Sequence, residues 1–133
     1  MSVRDAGALK LWESAWAGDT VAARTFLPAL LRHTGVAILA GYLGDRMLAG
    51  GVLNWSNSVV GLSNVFTVAG DLDEAYAGCL TAAAHRFPAL PLVGYEAGNA
   101  LESAHKLGFR SVGRLSVWVK EAEVPDAEGG LPG

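Results

Sequence analysis

Glu96 is the carboxylate best placed for chemistry in this chain. It follows the apolar run Leu92, Val93, Gly94, Tyr95 and stands just before Gly98-Asn99, at the C-terminal end of a predicted central strand. A carboxylate there can serve as general base for an amine, or simply as a helix cap or a solvated strand end. Asn64 and Asn99 carry amides able to orient a ligand, although turn and cap roles explain both. The three histidines, His33, His85 and His105, are far apart and share no short ligand spacing, so no metal site is expected. Cys79 lies on an apolar helical stripe with Tyr76 and Leu80, which makes it a small buried hydrophobe rather than a nucleophile. Trp55, at a hairpin turn, either meets a partner or covers the end of a sheet. There is no glycine-rich phosphate loop of the dinucleotide or Walker kind, and no Ser/His/Asp spacing.

The elements that must position these residues are readable from periodicity. Residues 92 to 119 form a predicted βαβ unit. It comprises a short buried strand at 92–95, then a helix capped by Asn99 with Ala100, Leu101, Ala104, His105 and Leu107 at helical spacing. Gly108 follows as a left-handed stop, and the last strand runs from Phe109 through Val112, Leu115, Val117 and Val119. Upstream, Leu9, Trp12 and Trp16 form one stripe of a helix over residues 8–17 that ends at Gly18-Asp19. Asp19 or Thr20 starts a second helical segment through Phe26, with a break near Leu27 and Pro28 opening a new turn. Val36 to Leu43 and Met47 to Leu53 pair as a hairpin about Gly44-Asp45, both faces covered, and residues 58–67 add a third strand. Gly50-Gly51 inside the middle strand signals a bulge or a close backbone approach. Asp71 caps a helix to about Arg86, with Glu74 at N3 of a capping box.

At 133 residues the chain is read as one domain, 1–120, with a mobile acidic tail at 121–133. A net charge of −3 with ten Lys plus Arg argues against nucleic-acid binding, whose footprint is a basic face. Lys106, Arg110 and Arg114 read as a solvated cluster complementing a helix C-terminus. One cysteine excludes an internal disulfide and suits a reducing compartment. No run approaches the ~18 apolar residues of a membrane span, and the first residues lack the apolar core of a signal peptide. The expectation is a cytoplasmic protein with no membrane partner.

The order of helices, three-strand antiparallel meander, helix, strand, helix, strand resembles the GNAT superfamily of acyl-CoA-dependent N-acyltransferases, an α/β (α+β) fold on a mixed sheet. Residues 100–109, Ala-Leu-Glu-Ser-Ala-His-Lys-Leu-Gly-Phe, resemble the family's final helix with its Leu-Gly-Phe ending. Asn64-Val65-Phe66-Thr67 resembles the end of its fourth strand. The resemblance implies that this strand and the one at 92–96 splay apart into an acyl cleft. It further implies that the backbone of Val65, Phe66 and Thr67 pairs with pantetheine amides, that Asn64 and Asn99 border the cleft, and that acetyl-CoA is the cofactor.

Two family features are missing. The pyrophosphate loop, Arg/Gln-x-x-Gly-x-Gly/Ala, falls on Leu72, Asp73, Glu74, Ala75, Tyr76 and Ala77. Asp71, Asp73 and Glu74 then put three carboxylates where an anion would bind, each costing about 1 kcal/mol of repulsion even in water. Many members carry a tyrosine in the last helix to protonate the departing thiolate, and Ala104 holds that position. His105, turned by about 100° around the helix, is a poor substitute. The expectation is therefore a catalytically degenerate GNAT-like domain binding a small molecule or a protein partner in the cleft. The alternatives are an active N-acetyltransferase with an atypical acetyl-CoA site and Glu96 as base, and a homodimer formed through the open sheet edge.

Overall fold

The apolar run that begins at Val36 folds as its turns predict. In the computed structural model, which describes residues 2–18, 26 and 28–121, β1 (Val36–Leu43), β2 (Arg46–Trp55) and β3 (Val60–Thr67) pair antiparallel in sequence. Gly44, at φ 64°, turns β1 into β2 in a left-handed conformation that suits glycine. The chain then crosses through α2 (Leu72–Arg86) and returns as β4 (Leu92–Val93), parallel to β3, giving the order β1-β2-β3-β4. α3 (Gly98–Lys106) packs against α2. α1 (Ala6–Ala17) precedes the sheet, its first turn capped by Asp5, whose carboxylate accepts from the Ala8 N–H at 2.8 Å. A short 3₁₀ turn (Pro28–Arg32) opens at the predicted proline and leads into β1.

Both faces of the meander are covered because its inward residues alternate between two cores. On one face Ile38, Ala40, Val52 and Phe66 meet Leu9 and Trp12 of α1; on the other Ala37, Leu39, Leu53, Val60 and Leu62 meet Tyr76, Cys79 and Ala83 of α2. Trp12 is the keystone of the first core. Its indole N–H donates to the Leu39 carbonyl at 2.7 Å, and its ring meets Phe66 and Phe26 edge-on, with centroids 5.3 and 5.0 Å away. Gly50 makes room for it: a Cβ there would stand 2.3 Å from the indole nitrogen and 2.7 Å from the Leu39 oxygen. Gly51 does the same on the other face, against Cys79. The Gly50-Gly51 signal thus marks close approach on both sides of the sheet.

The same glycines face a β-bulge. Gly50 pairs with Phe66 and Val52 with Ser63, so Asn64 and Val65 together oppose Gly51, and Asn64 takes φ 55°. The extra residue changes parity along β3: Leu62 points to the α2 core and Phe66 to the α1 core.

Three expectations are corrected. The residues from Phe109 through Val119 form no strand; from Arg110 to Glu121 every residue is exposed, because no sheet edge receives them. Asn99 does not cap α3, which begins at Gly98 with Ala97 in the cap position and no side-chain cap hydrogen bond. At α2, Asp71 is the cap, but its carboxylate takes the Asp73 N–H at 2.9 Å rather than that of Glu74. Phe26 packs as described, but the remainder of the second helical segment, the break at Leu27 and the tail beyond Glu121 lie outside the described residues.

Candidate functional site

β3 and β4 stay together only briefly. Val60 pairs with Leu92 and Gly61 with Val93, and the Val60 N–H reaches the Pro91 carbonyl at 3.0 Å. Gly94 still lies against β3, where a Cβ would stand 2.8 Å from the Leu62 oxygen. Beyond it the two chains part. The bulge at Asn64 and Val65 falls at this point, so among the described residues β3 from Ser63 to Thr67 has β2 on one side and no strand on the other. Backbone N–H and C=O groups on that open side are free to meet an extended ligand, as an edge strand meets a partner.

Glu96 lies on the β4 side of this parting, three residues past the end of β4, and is half-buried. Its carboxylate accepts a hydrogen bond from the hydroxyl of Tyr76, which comes from α2 and is almost fully buried in the second core. Burial first, and then the Glu96 carboxylate, push the Tyr76 phenol well above the ordinary tyrosine range. The phenol therefore stays protonated and acts as a fixed donor that aims the carboxylate. Asn64 is exposed, its amide donating to the Ser63 hydroxyl at 3.0 Å. Asn99 is exposed in the first turn of α3. Thr67 uses its hydroxyl on the Leu48 and Ala69 carbonyls at 3.3 and 3.2 Å, which closes the end of β3.

The acidic start of α2 is arranged differently from what its composition suggests. Asp71 is spent on the helix's own N–H groups. Asp73 turns toward α3, where a hydrogen bond from Ser103 and the ammonium of Lys106, 3.3 Å away, hold its carboxyl below the usual range. Lys106 thus brings a cation to the N-terminal end of α2, where the helix already favours anions. Ala104 is buried between the helices, and His105 is engaged outward with the Ser111 hydroxyl at 2.8 Å. Burial pushes the Cys79 thiol up to about 11, so it is a poor nucleophile. Trp55 covers the sheet end against Phe87, ring centroids 4.9 Å apart. A separate hollow of about 190 Å³ lies between α2 and β1–β2, lined by Gly41, Ala49, Gly78 and Ala82, with Glu74 as its carboxylate.

The Tyr76–Glu96 and Asp73–Lys106 pairs escape sequence reasoning. Tyr76 occupies a core position of its helix, and nothing local says where its hydroxyl ends. The Lys106 contact depends on α3 crossing the start of α2. Among the described residues no group of histidine, cysteine and acid side chains could hold a metal, and no helix is long and apolar enough to cross a membrane.

A crossover helix between strands that part at a bulge, with a second helix over its start, is the frame of the GNAT acetyltransferases, and the chain has that fold. Escherichia coli ElaA superposes with a TM-score of 0.66 at 14% identity, over 84% of this chain and 87% of that one. AAC(6')-Iy, solved with the bisubstrate analog CoA-S-monomethyl-acetylneamine, gives 0.66 at 15% identity over 92% and 97%. An acetyltransferase assigned to the GNAT family from Xanthomonas campestris pv. campestris gives 0.54 at 18% over 97% and 96%. No family model and no curated protein matches the sequence. At these identities the likeness establishes the fold and no individual residue's role.

Proposed function

We propose that this protein binds an acyl-CoA thioester where β3 and β4 part and transfers its acyl group to an amine, with Glu96 as general base. The observation that carries the reading is the Glu96 carboxylate, held by the buried Tyr76 hydroxyl just past the end of β4. The open backbone of Val65, Phe66 and Thr67 supplies hydrogen bonds to the pantetheine arm, with Asn64 and Asn99 at the borders. Lys106, at the start of α2, offsets part of the pyrophosphate charge in place of a glycine-rich loop. The amine nitrogen attacks the thioester carbonyl, Glu96 accepts the proton the nitrogen loses, and the carbon–sulfur bond breaks. The proton on Glu96 returns to the departing thiolate, so thioester and amine become amide and thiol. Tyr76, held neutral, is a positioning residue.

A second reading, binding without transfer, is favoured by Ala104 at the place of the family's proton donor and by the aspartate cap at the start of α2. Calorimetric titration with acetyl-CoA and with CoA, followed by an amine screen, separates the two. Micromolar binding is expected, with turnover that falls at least about 100-fold in Glu96→Gln while its thermal midpoint is kept. Binding with no turnover of any amine selects the second reading, and no binding at millimolar ligand removes both.

A further inference from the structure

Between α2 and the β1–β2 hairpin the packing of this chain stops short and leaves the hollow described above. Protein interiors reach crystal-like density, and voids larger than a water molecule are few. Here Gly78 and Ala82, one turn apart on α2, face Gly41 and Ala49 of the sheet, and side chains this small do not fill the space between helix and sheet. Tyr76 and Asp73 leave the other flank of α2, toward Glu96 and Lys106, so the helix separates the hollow from the parting of β3 and β4. Gly50 and Gly51 are glycines because a Cβ would strike a neighbour, whereas at Gly78 a Cβ would meet nothing within 4 Å. A glycine in a helix interior, the costliest residue there after proline, thus leaves room and answers to no close contact. The floor is bent as well: Gly41 pairs with Ala49 but Tyr42 with Met47, so Leu48 is an extra residue on β2. Cys79 gives the inner wall a neutral thiol, kept protonated by burial. The one charge on the lining is Glu74. Asp71 already caps α2, and the exposed Glu74 carboxylate makes no hydrogen bond or ion pair among the described residues.

We propose that this hollow binds a small organic cation: a compact apolar body about the size of one ring, held between Gly41, Ala49, Gly78 and Ala82, with a single ammonium group on the Glu74 carboxylate. Size selects the body. A dry apolar cavity of about 150 Å³ takes a benzene ring, and this hollow, at about 190 Å³, has room for a methylene and a nitrogen besides. Charge complementarity selects the head group, because an anion would be repelled by Glu74 and a neutral ligand would leave it without a partner. The apolar walls supply most of the affinity, and the carboxylate fixes the orientation and the sign of the charge. An exposed ion pair adds little energy by itself, so filling the hollow is the stronger way to abolish binding. The site lies across α2 from Glu96 and stands whether or not Glu96 accepts a proton from an amine.

Titration of the full chain with benzylamine at neutral pH, followed by amide chemical shifts, tests this. Saturable shifts are expected at Gly41, Ala49, Gly78 and Ala82. Gly78→Leu fills the hollow and is expected to raise the dissociation constant at least about tenfold with the thermal midpoint kept or raised, since leucine is the better helix former. Glu74→Gln, and separately benzyl alcohol in place of benzylamine, are each expected to weaken binding about threefold. Glu96→Gln should leave these shifts unchanged, which keeps this site distinct from the acceptor amine of the proposed function. The proposal is overturned by an absence of saturable shifts at millimolar benzylamine, or by shifts that persist in Gly78→Leu. Binding lost in Glu96→Gln alone overturns it too, because the amine then sits at the other opening. Equal affinity for benzyl alcohol overturns the cation, and shifts of the same amides with protein concentration alone would put a second copy of the chain in the hollow instead.

Discussion

The β1–β3 meander and the part of the chain from Leu92 onward both carry many apolar residues, yet they end in opposite states. In the meander each strand is paired along most of its length, both faces are covered, and glycines are placed where a Cβ would strike an indole, a carbonyl or a thiol. In the later part β4 is two residues long, the chain leaves the sheet at Gly94, and the apolar residues from Val112 to Val119 lie in solvent. The contrast separates two uses of the same residue types. Where the ladder is complete, side chains are committed to stability; where it stops, backbone groups, a carboxylate and apolar side chains remain for ligands and partners.

Substitutions should break this comparison in a graded way. The largest effect is expected on the meander side from Trp12→Ala, which removes the ring held between Gly50, Phe26 and Phe66 together with its hydrogen bond to Leu39. A loss of about 4 kcal/mol in urea denaturation is expected, with unfolding at physiological temperature in a marginal background.

Tyr76→Phe sharpens the contrast from the other side, because it touches the site with little change of volume. Near neutrality it should cost about 1 kcal/mol through the lost hydrogen bond to Glu96. The raised Tyr76 pKa means that the unfolded state loses its phenolic proton first, so folded stability is fully present below the ordinary value of 10.0 and falls above it. Tyr76's contribution to the fall should approach about 1.4 kcal/mol per pH unit in the wild type and be absent from the variant. Cys79, whose thiol burial pushes up to about 11, adds a fall of its own to both proteins. Thermal melts of the pair from neutral to strongly alkaline pH check the sign; parallel curves would mean that the phenol ionises as freely in the fold as in water.

The smallest effect is expected from Asp73→Asn at the α2–α3 contact. The Asp73 carboxyl is held below its ordinary value of 3.8, so its contribution is present above that pH and is lost as pH falls through the lowered value. The exposed pair should shift the melting temperature only slightly at neutral pH. The gap between variant and wild type should close under acid conditions.

How much of this was legible in the sequence follows the same division. The hairpin turn at Gly44, the close approach at Gly50-Gly51, the proline at the 3₁₀ turn, the α2 span and the Gly108 stop, at φ 98°, all depend on local rules, and all are where those rules put them. The last strand was misread because β-propensity describes a surface that needs a neighbour, and residues 110–119 lie on no strand of the described chain. Asn99 was misread as a cap because Gly98 already belongs to the helix, which moves the cap to Ala97. Glu96 was singled out from an expected strand end, although β4 stops at Val93, three residues earlier. Its Tyr76 partner was not, because the two are brought together only by the crossover from β3 through α2 to β4. Lys106 likewise looked like part of a solvated cationic cluster until α3 was laid across the start of α2.

The extra residue in β3 ties the groove to the scaffold in a way that bears on how such a protein can drift. Asn64 and Val65 share one place in the ladder, and the resulting change of parity is what sends the Phe66 ring to Trp12. A descendant that shed one residue there would straighten the strand and turn that ring to the opposite face, unseating the indole beneath it. Selection for nothing more than a folded chain therefore preserves the recess, even in a lineage that has stopped using it.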